Sequence, residues 1–356
     1  MFFLLLATGC VQNEPLNAEC DILSAWLDTE DQTGTPIIEN DRVTFLVKPS
    51  LDRKAQAPEF TLTPGASVSP ASGTIQDFTF PQHYTVTSED GKWHKTYEVR
   101  FYANDLKPKF DFEHFELKDP EKNRYFVFYE QDLFQKQYVW ASGNEGFKLT
   151  NQSATEEQYP TQVEKEGVSG FAAKLITRST GALGNMVKMP IAAGNLFLGT
   201  FSAKDAMSDA LAATRFGTPF TQKPLSLRGW YKYAPGEVVK DQNNQVVDKT
   251  DEFDIYAVFY EPTAEKPYLT GKDILTDESI LAIARVDERS PQSDFTEFDV
   301  PFVYLDGKSV DPEKLADFKY NLAVVFSSSI NGAYFEGAVG STLIVDQVEV
   351  ICGSAE

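Results

Sequence analysis

The chain has 356 residues, 42% hydrophobic and 13% aromatic, which is long for one β-sandwich, sufficient for two domains, and too rich in core material for disorder. A formal net charge of -21 argues against nucleic acid as a partner, because phosphates would be repelled. Three cysteines with no C-x-x-C pair exclude a disulfide scaffold.

In chain order, Met1 to Leu6 is apolar, Ala7-Thr8-Gly9 is small, and Cys10 follows at once. This resembles the end of a bacterial lipoprotein signal, in which the chain is cut before the Cys and lipidated there. It departs from the usual form, since no Lys or Arg precedes the apolar run and Ala7 stands where Leu is usual. The expectation is a protein lipid-anchored at the outer membrane or cell surface, with the membrane a partner through Cys10. Residues 11–19 then form a polar tether, which makes 1–20 signal and tether. No later run of 18 apolar residues could span a bilayer. Cys20 and Cys352 are read as single packed thiols, with a bridge between them left open.

From Ile22 to Tyr102 short strands alternate with turn signals. Val43, Phe45 and Val47 alternate with Thr44, Leu46 and Lys48, and Phe60 and Leu62 follow a Pro-containing turn. Glu89-Asp90-Gly91-Lys92, between a strand at Tyr84 and one at Lys95–Phe101, predicts a hairpin, because Gly supplies the positive φ of a tight turn. Residues 21–105 therefore read as an immunoglobulin-like sandwich without visible chemistry. His83 and His94 are too isolated to be ligands.

Beyond a linker around Pro108 the strands lengthen and aromatics multiply. Strands are predicted over Tyr125–Tyr129, Phe171–Thr177, Ile191–Phe201, Leu225–Tyr233, Asp254–Tyr260, Ile280–Val286 and Phe295–Val303. Ala141 to Gly146 reads as a loop around Asn144, Ala203 to Phe216 as a single helix closed by Gly217 and Pro219, and Val239 to Asp248 as a hairpin tip. Asp311 before Pro312 predicts a short capped helix through Phe318. Tyr320 to Ile351 closes the chain with two apolar strands around a loop that holds Gly332, Tyr334, Phe335, Gly337 and Gly340. Residues 106–356 thus read as a larger sandwich, and the fold class is all-β: an N-terminal immunoglobulin-like sandwich followed by a jelly roll.

Two stretches carry family resemblances. Leu62-Thr-Pro-Gly-Ala-Ser-Val-Ser-Pro-Ala-Ser-Gly-Thr with Tyr84-Thr-Val-Thr-Ser-Glu-Asp-Gly resembles the N-terminal immunoglobulin-like modules of Bacteroidetes surface lipoproteins, which implies a spacer. Phe197-Leu-Gly-Thr-Phe, Pro224-Leu-Ser-Leu-Arg-Gly-Trp-Tyr-Lys-Tyr, Asp251-Glu-Phe-Asp-Ile-Tyr-Ala-Val-Phe-Tyr-Glu and Phe335-Glu-Gly-Ala-Val-Gly-Ser-Thr-Leu-Ile-Val-Asp are similar to the putative carbohydrate metabolism domain of Bacteroidetes lipoproteins, over about residues 110–352. That resemblance implies a jelly roll like those of carbohydrate-binding modules, and glycan binding or hydrolysis. It supplies no catalytic residues. Such jelly rolls often hold a structural calcium between a Glu near the first strand and an Asp on the last, places that Glu113 and Asp346 could take here.

A sugar site needs aromatic platforms for C–H faces and fixed polar groups for hydroxyls. The candidates are Trp140 with Asn144; Arg228, Trp230 and Tyr231 on one strand; Asp254 and Tyr256 on the next; and Tyr334 in the glycine loop. The competing reading is that most such aromatics fill the core. Hydrolysis would need two carboxylates across a cleft, for which Asp254, Glu261, Glu336 and Asp346 are the candidates. Serine catalysis has no G-x-S-x-G to support it. The expectation is a surface protein that binds polysaccharide or oligosaccharide beside outer-membrane uptake proteins. The alternatives are a glycoside hydrolase or lyase on the same jelly roll, and an adhesion or structural subunit that binds protein.

Overall fold

The computed structural model describes residues 16–32, 34–48, 51–103, 106–118, 125–131 and 136–353; the signal, Cys10 and most of the tether lie outside the described residues. The chain divides into two compact units between Tyr102 and Ala103. Both are all-β.

In the first unit a five-stranded sheet runs in the order Ile37–Ile38, Arg42–Val47, His94–Ala103, Gln82–Thr87, Ser67–Ser69, and Ile22–Trp26 pairs with Glu59–Leu62. The alternation read at Val43, Phe45 and Val47 turns these three side chains into a core with Phe60, Tyr84, Tyr97, Val99 and Phe101. Each large apolar side chain so buried contributes about 1.5–3 kcal/mol. The predicted hairpin forms: Gly91 adopts φ 71° in the turn between Gln82–Thr87 and His94–Ala103.

The second unit is built on two large sheets. A nine-stranded sheet has the main order Leu269–Thr270, Thr214–Phe216, Asn195–Phe201, Asn321–Ser327, Asp254–Tyr260, Ile280–Arg285, Val303–Tyr304. A six-stranded sheet has the order Thr161–Glu164, Ala172–Ile176, Thr342–Gly353, Lys223–Ala234, Gln292–Pro301, with Lys109–Phe110 on the far edge of Thr342–Gly353. Phe326 of the first sheet packs against Phe112 and Trp140, and Trp140 packs against Phe110 of the second. The residues between these faces are Leu322, Val324 and Phe326, whereas Ala323 and Val325 join a separate apolar cluster with Phe197, Tyr256 and Val258. The strand Asn321–Ser327 is thus apolar on both faces because a second layer, made of short helices and loops, covers the side away from the sandwich core.

Two local expectations are corrected. Ala203 to Phe216 is not one helix: Ala203–Ala206 and Ala210–Ala213 are separate short helices, and Thr214–Phe216 is a strand. Ser202 caps the first and Asp209 the second by accepting from the main-chain N–H of Asp205 and Ala212, so the acidic side chain inside the run starts a new helix. Asn144 lies not in a loop but at the start of a helix, Asn144–Thr150. The short helix Pro312–Ala316 forms as read, with Asp311 accepting from the N–H groups of Glu313 and Lys314.

Candidate functional site

The covering layer over the nine-stranded sheet encloses a cavity of about 450 Å³. Its floor follows from strand register. Asn195, Ser327 and Asp254 lie directly opposite one another on three neighbouring strands, and two residues further on Phe197, Val325, Tyr256 and Arg285 form the next row. Period-two alternation sends both rows to the same face, and all seven side chains line the cavity. Phe147, Met207 and Leu211 come from the helical layer, and Asn331, Tyr334 and Phe335 from the loop after Asn321–Ser327.

At the polar end Arg285 donates from Nε to Asp254 Oδ1 at 2.9 Å and from Nη2 to Oδ2 at 2.8 Å, and Arg289 stands 3.7 Å from Oδ1. Burial pushes the Asp254 carboxyl above its ordinary value, against the pull of Arg285. Asn195 accepts from the Gly143 N–H at 2.8 Å, which ties the helical layer to the sheet. The loop is fixed by a buried carboxylate. Asp251 Oδ2 accepts from the Ser329 hydroxyl at 2.6 Å, the Ala338 N–H at 2.7 Å and the Ser341 hydroxyl at 2.7 Å. Thr177 adds hydroxyl contacts to Ser328 at 2.8 Å and Ser329 at 2.6 Å. Within this frame Gly332 passes against Ala193, where a Cβ would collide, and Phe335 takes φ 58°. The result leaves the Tyr334 ring 59% exposed at the rim.

Of the candidates from sequence, Asp254, Tyr256 and Tyr334 meet in this cavity. Trp140 and Asn144 do not. Trp140 is 3% exposed, packed among Phe110, Phe112 and Phe326, with its indole N–H donated to Glu130 at 2.7 Å. It cannot offer a face to a sugar, because its strand partner Leu198 turns it into the sandwich core. Asn144 is fully buried and bonds Thr161 through both its amide ends, at 2.8 and 3.0 Å. Tyr231 is buried against Phe253 and Phe298. Arg228 and Trp230 point outward from the six-stranded sheet, away from the cavity, where Arg228 pairs with Glu349 at 2.7 Å and Trp230 is half-buried.

The four carboxylates read as hydrolytic candidates are not assembled into a pair at the cavity. Only Asp254 lines it; Glu261 pairs with Lys314 at 2.6 Å, Glu336 with Lys249 and Asn331, and Asp346 lies elsewhere. Glu113 and Asp346 do come to one loop, residues 167–171. Asp346 Oδ2 accepts from the N–H groups of Val168 at 2.7 Å and Ser169 at 3.2 Å, Oδ1 from that of Gln347 at 2.7 Å, and Glu113 from that of Phe171 at 3.0 Å. Main-chain donors reach both Asp346 oxygens and Glu113 Oε1, and among the described residues no group of three or more metal-ligating side chains occurs. Two carboxylates by themselves supply fewer than the six to eight oxygen ligands that calcium takes. Cys20 and Cys352 are both free thiols.

Sequence reading missed Arg285, Asn195, Asn331 and the loop anchor Asp251. Asp251 had a signal, since it opens the motif quoted from residue 251. Arg285 and Asn195 had none, because only register places them beside Asp254 and Ser327.

Among the described residues no helix is long and apolar enough to cross a membrane. Residues 22–100 match the domain described as "SGBP, N-terminal", and residues 111–351 match that described as "Putative carbohydrate metabolism domain". No curated protein matches the chain. A crystal structure from Bacteroides thetaiotaomicron, described as a putative glycoside hydrolase, is 43% identical, with a TM-score of 0.90 over 96% of this chain and 99% of that one. A second so described, from Bacteroides vulgatus, is 42% identical, with a TM-score of 0.66 over 69% of this chain and 98% of that one. With 241 consecutive residues matched and a near-full-length relative of the same fold, this chain belongs to the putative carbohydrate metabolism domain family and has a carbohydrate-related role.

Proposed function

We propose that the chain binds polysaccharide or oligosaccharide for a glycan-utilisation system, in the cavity over the nine-stranded sheet. The observation that carries this reading is the placing of an exposed ring, Tyr334, over a concavity whose floor holds Asp254, Arg285, Asn195 and Ser327. Sugar sites combine these two things, a flat apolar face and a few fixed hydrogen-bonding groups, in cavities of this size. The match of residues 22–100 to the N-terminal part of surface glycan-binding proteins supports the same reading. Lipidation at Cys10, which the run before it resembles a signal for, would hold the protein at the outer membrane beside uptake proteins.

Binding is favoured over hydrolysis because both Asp254 oxygens are engaged by Arg285, and the other carboxylate that lines the cavity, Asp273, accepts from the Thr270 N–H at 2.7 Å and pairs with Lys266 at 2.6 Å. The test is retention on a glycan array, followed by product analysis on any retained glycan. Retention with no rise in reducing ends is expected. Failure to retain any glycan would sink the reading and leave protein adhesion in its place; a rise in reducing ends that Asp254→Asn abolishes would establish the hydrolase or lyase instead.

A further inference from the structure

The floor of the cavity changes character along the strands. Its first row is Asn195, Ser327 and Asp254, all polar; its second is Phe197, Val325 and Tyr256, apolar except for the phenol, and ends in Arg285, whose guanidinium reaches back to Asp254. Phe201 and Phe216, on strands of the same sheet, extend the apolar floor, Met207, Leu211 and Ile274 line the cavity from the covering layer, and Asn331 and Tyr334 belong to the loop that follows Ser327. Phe197, Phe216, Tyr256, Val325 and Ile274 form one continuous apolar cluster. A bare sugar that filled this cavity would lay hydroxyls on Phe197, Val325 and Ile274, which can neither donate to nor accept from them. Hydroxyls stripped of water without a partner oppose binding. An apolar chain alone would strip water from Asp254, Arg285, Asn195 and Ser327 with the same penalty.

We infer that the cavity takes a carbohydrate bearing an apolar substituent, such as an acyl or alkyl group. The sugar ring lies at the Asn195–Ser327–Asp254 row under Tyr334, and the substituent lies along Phe197 and Val325 beneath Met207 and Leu211. This rests on the carbohydrate reading of the same cavity and specifies the class of glycan.

The test is calorimetric titration of the purified full chain with methyl, hexyl and octyl β-glycosides of glucose, galactose and mannose below their micelle-forming concentrations, with 1-octanol alongside. For at least one sugar the affinity is expected to rise about fourfold for each methylene buried, so that hexyl exceeds methyl by well over tenfold. Octanol should bind more weakly than the matching octyl glycoside. Met207 is 44% exposed, so Met207→Gln should fold normally and narrow the octyl-to-methyl ratio. Tyr334→Ala should weaken both glycosides by the same factor. Equal affinity for methyl and octyl glycosides, or no binding of any of them by a protein that does retain an array glycan, overturns the inference and leaves the carbohydrate reading standing. Octanol binding as tightly as octyl glycosides, with no glycan retained, overturns both.

Discussion

The Asp251 carboxylate and the Ser329 hydroxyl are 2.6 Å apart in the protein interior, and this contact joins the start of the strand Asp254–Tyr260 to the loop that carries Tyr334. One oxygen of Asp251 serves Ser329, Ala338 and Ser341 together, so three parts of the loop share a single acceptor. Asp251→Ala should cost about 3 kcal/mol or more, because it leaves buried donors without a partner. Thermal unfolding should show the drop, and amide exchange should accelerate over residues 328–341 before the rest of the unit. Uniform acceleration across the unit would mean that Asp251 stabilises the fold without fixing the loop.

Tyr334 and Trp140 separate a ligand-facing ring from a core ring. Tyr334→Ala should leave the unfolding midpoint nearly unchanged, because the ring is 59% exposed, and should weaken glycan retention by roughly fivefold, the loss of about 1 kcal/mol of stacking. Trp140→Ala should destabilise by about 3–5 kcal/mol, the range for emptying a large aromatic from a packed interior. Affinity electrophoresis and a melting curve on both variants check this. A Tyr334→Ala protein with full affinity would remove the rim from the site.

Most of the strands were legible because their signals are local. Turn glycines such as Gly91 need only their own φ, and alternation at Arg228, Trp230 and Lys232 against Tyr231 and Tyr233 correctly divides an outer from an inner face. What local sequence cannot express is which sheet face has a cavity behind it. Trp140 beside Asn144 has the composition of a sugar platform, yet its pairing with Leu198, 58 positions away, buries it. The row Asn195–Ser327–Asp254 spans 132 positions, and only sheet register assembles it. The Ala203–Phe216 run failed for a different reason: helix propensity was read over fourteen residues, while the Asp209 cap that restarts the backbone acts over three.

Glu130 gives the protein a pH signature. Burial is the main cause that pushes its carboxyl from 4.5 up to about 7, with the Trp140 N–H opposing and Asp111 adding to the rise. The folded state therefore holds a proton between about pH 4.5 and 7 that the unfolded state has released, and stability falls as pH rises through that window. The Glu130 side chain is only half-buried, so the expected loss is about 2 kcal/mol rather than the full value of such a shift. Glu130→Gln keeps an acceptor for the Trp140 N–H and carries no charge. Melting curves at pH 5 and pH 8 should show a smaller difference for the variant, with the variant more stable at pH 8. Identical pH dependence in the two proteins would mean that Glu130 titrates normally.

Asp254 and Arg285 should behave as a unit. Asp254 is 7% exposed in its side chain and Arg285 is 32% exposed, so Asp254→Asn leaves a guanidinium that water can only partly solvate. Removing one member of a wholly buried pair costs about 3–5 kcal/mol, and the exposed third of Arg285 brings the expectation nearer 2 kcal/mol. Arg285→Met should cost a similar amount, because it leaves a carboxylate whose burial already disfavours its charge. In the double variant neither charge remains, so its loss should be smaller than the sum of the two single losses by at least about 1 kcal/mol. Glycan retention should fall in all three, since each alters the polar row under Tyr334. Strictly additive losses in unfolding free energy would show that the two-point contact contributes nothing beyond its separate parts. Normal glycan affinity in the double variant would move the sugar away from this end of the cavity.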